Sequence, residues 1–137
     1  MLKVNNGVFM ISFIRKLTDP DQPTLNRVVD HIQHVGERIG YQHVGIGSDF
    51  DGVMETTQGL EDVSRFPFLV AELLRRGVPE NLVRDIVGPN VLRVLDAVEG
   101  VSARMIKGKE EILQDVIEPI WDEKIRNEVK QVRGILD

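Results

Sequence analysis

The sequence predicts an α/β fold built on a parallel strand–helix–strand unit that continues into helices, and three observations predict it. Val8 to Ile14 is a continuous apolar run, partly β-branched and aromatic, which reads as a strand buried on both faces, as in parallel sheets. Leu25, Val28, Val29, Ile32, Val35 and Ile39 then recur at helical spacing. The short run His43 to Ser48 follows at once as a second strand, closing a βαβ unit. A parallel sheet of only two strands leaves both edges with unpaired backbone groups. The pattern therefore fits either a small α/β domain with a further strand hidden from sequence, or a piece of a larger barrel.

Each element carries its own signals. Asn5-Asn6-Gly7 precedes the first strand, and Thr18 to Pro23 behind it is turn chemistry, with Pro23 expected in the first turn of the helix. Gly40 is placed to end that helix. The glycines at 45 and 47 predict a close backbone approach within the second strand. The Gly/Asp-rich segment Asp49 to Gly59 leaves the C-terminal end of that strand, where parallel α/β architectures usually carry function. A helix with Phe66, Leu69, Val70, Leu73 and Leu74 closes at Gly77. Pro79-Glu80 opens another with Leu82, Val83, Ile86 and Val87, and Pro89 a third with Val91, Leu92, Leu95 and Val98. These apolar stripes are expected as core. Gly100 to Gly108 reads as a linker. The last stripe contains Ile112, Leu113, Val116, Ile117, Ile120, Trp121, Ile125, Val129 and Val132, with Pro119 expected to kink or split it.

Composition narrows the functional classes. A hydrophobic content of 42% and a charged content of 28% belong to an ordinary globular protein. A net charge of -5 supplies no basic footprint, so nucleic acid is not an expected partner. The chain contains no cysteine, which excludes disulfides, thiolate nucleophiles and Cys-ligated zinc. The apolar run near the N-terminus is short and continues into Arg15-Lys16 without a cleavage site, so no signal peptide is expected. No stretch approaches the ~20 apolar residues needed to span a bilayer. A soluble, cytoplasmic location is the expectation.

The strongest local feature is Gly45 to Gly52, which places Asp49 just past a buried strand between glycines. A carboxylate so framed can act as a general base, a metal ligand or an anchor for a substrate ammonium. It can equally cap the following turn while Asp51-Gly52 supplies turn chemistry. An EF-hand calcium loop needs further ligands at fixed offsets that are absent after Asp51. His31 and His34 share a helix face, but zinc wants at least three protein ligands and these two flank a packing position, so they read as surface or structural histidines. His43 opens a strand and has no partner in sequence. Dinucleotide, Walker A and Gly-x-Ser-x-Gly motifs are absent.

Several blocks, in order and at fitting separations, resemble the membrane (renal) dipeptidase family of zinc metallopeptidases. They are Asn6 to Phe13, Thr24-Leu25, Val28 to His34, Val44 to Val53, Gly59 to Ser64, Ala71 to Gly77 and Asn90 to Val94. The likeness covers residues 5–99; residues beyond 101 resemble only variable C-terminal extensions. It implies a (β/α)8 barrel of the metal-dependent hydrolase kind, of which residues 1–100 would be the last two strands and their helices and residues 101–137 a helical extension. The family hydrolyses dipeptides with two zinc ions bridged by a carboxylate and a water. Its ligands (an early His-x-Asp pair, a bridging Glu and two later His) belong to strands before this region, so no metal ligand is expected here. Asp49 matches the family's Asp at the end of the last strand. The resemblance implies a catalytic role there, taking or relaying a proton as metal-activated water attacks, and a substrate-binding role toward the dipeptide's amino group. Asp51 is expected only to shape the loop. The expectation is a dipeptidase by family whose chain alone is inactive. The rival is a non-enzymatic remnant that forms a homo-oligomer or pairs with another barrel fragment, with Trp121 as a contact.

Overall fold

A computed structural model describes residues 1–115 and 118–133, the side chains of 132 and 133 excepted. It divides into two compact units, Met1–Arg104 and Met105–Asp137. The first unit has mixed α/β structure. Strand β1 (Phe9–Ile11) leads through the one-turn helix α1 (Arg15–Thr18) into α2 (Leu25–Ile39), and strand β2 (Val44–Ile46) returns beside β1. The strands are parallel, with Phe9 opposite Val44, Met10 opposite Gly45 and Ile11 opposite Ile46. Helices α3 (Phe66–Arg75), α4 (Glu80–Val87) and α5 (Pro89–Gly108) follow.

Helix α2 forms where the sequence predicts it and buries Val28, Val29 and Ile32 against the sheet. Thr24 is its N-cap, so Pro23 lies before the helix rather than in its first turn, and Gly40 ends it. Leu69 and Leu73 of α3 and Val83 and Ile86 of α4 complete one core with Ile11, Phe13, Val44 and Leu60. These side chains have no exposed surface or almost none, which at roughly 25 cal/mol per Å² of apolar area makes them the main stabilising group.

The strand β1 departs from expectation. Ile11 is 5% exposed, but Phe9 and Met10 are 51% and 47% exposed, so the strand is not buried on both faces. The physical reason is that among the described residues β1 has β2 as its one sheet partner, and an open cavity lined by Phe9, Met10, Leu17, His31 and Val35 lies beside it. Helix α5 also departs. Its first turn buries Asn90, whereas Leu92, Leu95 and Val98 are exposed and are not core. Gly100–Gly108 is helical rather than a linker, because Ala103, Arg104, Met105 and Lys107 are strong helix formers that outweigh the ~1 kcal/mol cost of an interior glycine.

In the second unit the described residues between 110 and 122 are not helical, and α6 (Glu123–Arg133) begins only after Pro119. Asp122 caps α6 by accepting the Ile125 N–H at 2.9 Å. The expected long stripe is thus split, and Ile112, Leu113, Ile120, Trp121 and Ile125 are exposed. Val116, Ile117 and the side chain of Val132 lie outside the described residues. Among the described residues no helix is long and apolar enough to cross a membrane.

Candidate functional site

The two ends of the parallel strands are built differently. At the N-terminal end, α5 reaches back with side-chain donors. Asn90 Nδ2 donates to the carbonyls of Tyr41 and Val44, both at 2.9 Å. Arg93 donates to the Asn6 carbonyl at 2.7 Å and the Gln42 carbonyl at 3.0 Å. The buried His43 ring donates from Nδ1 to the Gly7 carbonyl at 2.8 Å. Every one of these acceptors is a backbone oxygen just before a strand or, for Val44, at its first residue, which pairs with Phe9.

At the C-terminal end the strands run on into loops. Phe13 N–H donates to the Ser48 carbonyl at 3.0 Å and Gly47 N–H to the Ile11 carbonyl at 2.9 Å, carrying the pairing past the last formal strand residue. A Cβ on Gly47 would stand 2.9 Å from Met10 Cβ, so the predicted close approach is real at that position. Asp49 then turns the chain in the left-handed region, φ 63° and ψ 36°. Only glycine, asparagine and aspartate visit this region readily. A single 3₁₀ turn, Phe50–Gly52, follows, closed by Gly52 N–H to the Asp49 carbonyl at 3.1 Å.

The loop is anchored by aromatic rings. Phe50 meets Phe13 edge-on at 5.8 Å between centroids and stacks on Phe66 at 6.1 Å, while Phe13 is wholly buried. Further along, the buried Thr57 hydroxyl donates to the Phe13 carbonyl at 2.7 Å. Gln58 is bound between Pro23 and Leu25: its N–H donates to the Pro23 carbonyl and its carbonyl accepts the Leu25 N–H. Asp49 thus sits on a loop tied at both sides to the core. Its own side chain is exposed and caps no turn, so the capping role open to it from sequence is not the one it takes. A cavity of about 520 Å³ opens beside these loops, lined by Ile14, Arg15, Asp19, Pro23, Val53 and Met54 among others; Asp49 is not in its wall.

A second polar cluster joins α2 to α3. Arg76 donates to Asp30 at 2.5 Å, to Glu72 at 2.7 Å and to the Asn26 carbonyl at 3.0 Å. Hydrogen bonds from Arg75 and Arg76 hold the Glu72 carboxyl at about 2, well below its usual range. For Asp30, burial works to raise the pKa, but the hydrogen bonds from Arg76 and Arg27 outweigh it and the pKa is lowered. This network is satisfied within itself and has no reacting group left over. Its role is to hold one helix against the other.

His31 and His34 both line the open cavity beside β1, and His43 is not in its wall. His31 donates from Nε2 to the Thr18 carbonyl at 2.8 Å, and His43 is committed to Gly7. Among the described residues no group of three or more His, Cys, Asp or Glu side chains could hold a metal ion. The side chains present here therefore do not fit a zinc centre. What sequence reasoning missed is the support beneath Asp49, namely the Phe13–Phe50–Phe66 cluster and the closeness of Gly52. The paired glycines flanking Asp49 were the available signal for the second.

Comparison with known proteins bears on this site. The family model for membrane dipeptidase (peptidase family M19) matches residues 1–109. Dipeptidase verJ of Clonostachys rogersoniana is 62% identical over 137 residues, all of this chain and 35% of the relative. Dipeptidase tcpJ of Claviceps purpurea is 50% identical over 133 residues, covering 96% of this chain and 31% of the relative. Dipeptidase ataJ of Aspergillus terreus is 50% identical over 141 residues, covering 98% and 34% respectively. The chain spans about a third of the length of these curated relatives. With the family model matched over residues 1–109, which span every element from β1 to α5, this chain belongs to the membrane dipeptidase family, peptidase family M19.

Proposed function

We propose that this chain is the last-two-strand portion of a (β/α)8 barrel dipeptidase, residues 1–100, with residues 101–137 as an extension. The whole enzyme would hydrolyse the peptide bond of a dipeptide. The observation that carries the reading is Asp49: an exposed carboxylate in left-handed backbone at the C-terminal end of a parallel strand, on a loop anchored by buried rings. In the proposed reaction water adds to the peptide carbonyl carbon, its proton passes to the Asp49 carboxylate, and the same proton reaches the leaving nitrogen as the C–N bond breaks. Asp49 also serves as an anion for the substrate's free ammonium group. The zinc ions of the family would need ligands from outside the described residues, and no step is assigned to them here.

Two assays test this. The purified chain, with zinc added, is expected to leave a simple dipeptide intact; turnover that disappears in Asp49→Asn would overturn its inactivity alone. Mixing the chain with a polypeptide carrying the other two-thirds of a dipeptidase relative is expected to restore hydrolysis, and Asp49→Asn to remove it. Restored hydrolysis indifferent to Asp49→Asn would sink the role given to that residue.

A second reading is a non-enzymatic chain that forms a homo-oligomer or pairs with another barrel fragment. The half-exposed Phe9 and Met10 of β1 favour it. Sedimentation of the chain with and without residues 109–137 separates association through the tail, including Trp121, from association through the sheet.

A further inference from the structure

We infer that Gly52 is a positioning residue for the Asp49 carboxylate, setting its side-chain rotamer rather than stabilising the fold. A Cβ built on Gly52 would overlap Asp49 Oδ1 and stand 2.8 Å from Cγ and 3.0 Å from Oδ2. The whole carboxyl group therefore lies over the Gly52 backbone, in space that any other residue would fill. No other atoms stand among the three nearest neighbours of that position, so the conflict is with Asp49. Gly52 is not among the positive-φ glycines, unlike Gly40, Gly59 and Gly77, so alanine meets no backbone strain there.

The two ends of this contact differ in stiffness. The backbone of Asp49 is held by its own 3₁₀ turn and by Phe50 packed against Phe13 and Phe66. The carboxyl group is the free end of a short side chain that can rotate about χ1 to another staggered well. An added methyl group at position 52 therefore turns the carboxylate away and leaves the loop in place. A proton acceptor tolerates little displacement, so such a turn removes it from productive geometry. The catalytic meaning of this rests on the proposed role of Asp49; the geometric claim stands apart from it.

The test compares Gly52→Ala, Asp49→Ala and the double variant with the parent chain by NMR and thermal unfolding. In Gly52→Ala the Asp49 Hα–Hβ couplings are expected to move to a different staggered rotamer, with Tm shifted by no more than about 2 °C. Gly100→Ala, at a position with nothing within 4 Å, is expected to leave those couplings unchanged. If Gly52→Ala instead lowers Tm strongly or fails to fold, the Asp49→Ala background is expected to relieve the loss, since the opposing group is then gone. An unchanged Asp49 rotamer in folded Gly52→Ala overturns the inference, as does a Tm loss that persists undiminished in the double variant. None of these outcomes depends on turnover, so they are separable from failure of the dipeptidase reading.

Discussion

The N-terminal and C-terminal ends of the β1–β2 pair share the same two strands and the same core, yet they are closed by opposite means. At the N-terminal end, Asn90, Arg93 and His43 donate to backbone carbonyls just before the strands and at the first residue of β2. At the C-terminal end, apolar packing of Phe50 and hydrogen bonds from Thr57 and Gln58 hold the loops, and the Asp49 carboxylate is left exposed. Polar side chains spent on backbone carbonyls contribute stability but no chemistry. A carboxylate kept out of such bonds contributes little stability and stays available. The division of labour follows from which groups are satisfied internally.

The comparison can be broken or sharpened by substitution. The largest effect is expected from Phe13→Ala, about 3–5 kcal/mol in urea unfolding, because it empties a fully buried site and removes the ring on which Phe50 rests. Hydrogen exchange should also rise at Phe50 to Gly52 before it rises at β2. If exchange there is unchanged, the aromatic anchor is the wrong account of the loop.

Next comes Asn90→Ala, expected to cost about 1–3 kcal/mol, since two carbonyls in a half-buried to buried setting lose their donor. A cost below that of an ordinary surface substitution would remove the case for a stability-bearing N-terminal end. A smaller loss is expected in acid. The folded state holds Glu72 at about 2, below its usual 4.5, so the contribution is fully present above about pH 4.5 and disappears as pH falls toward 2. Arg75 is largely exposed although Glu72 is not, so solvent screening reduces the share of the effect that comes from Arg75. Urea midpoints across that pH range should fall less steeply in Glu72→Gln than in the parent.

The smallest effect is expected from Asp49→Asn, within about 0.5 kcal/mol, because asparagine also accepts left-handed backbone and the side chain is exposed. Thermal unfolding of this variant checks the contrast directly. A loss as large as that of Asn90→Ala would mean the two ends are not divided as described.

Local order was legible where one physical rule dominated. The α2 stripe, the end of that helix at Gly40 and the parallel pairing followed from periodicity and from connection length. The close approach at Gly47 followed from the missing side chain. The exposure of Phe9, Met10, Leu92 and Leu95 did not follow, because hydrophobicity says that a side chain favours burial and not whether a neighbour exists to bury it. The helix through Gly100–Gly108 did not follow either, because a single unfavourable residue carries less weight than the good helix formers after it.

By itself, then, the sequence determined the βα order, the family, and Asp49 as a residue just past the second strand, since these depend on residue type and spacing along one chain. Only the tertiary structure decided that Asn90 and Arg93 bridge to residues far away in sequence, and that His31 and His43 are occupied by backbone carbonyls. It alone decided that Gly52 lies beneath the Asp49 carboxyl. Such facts are distances between groups, and a distance of a few ångströms is set by packing, not by composition.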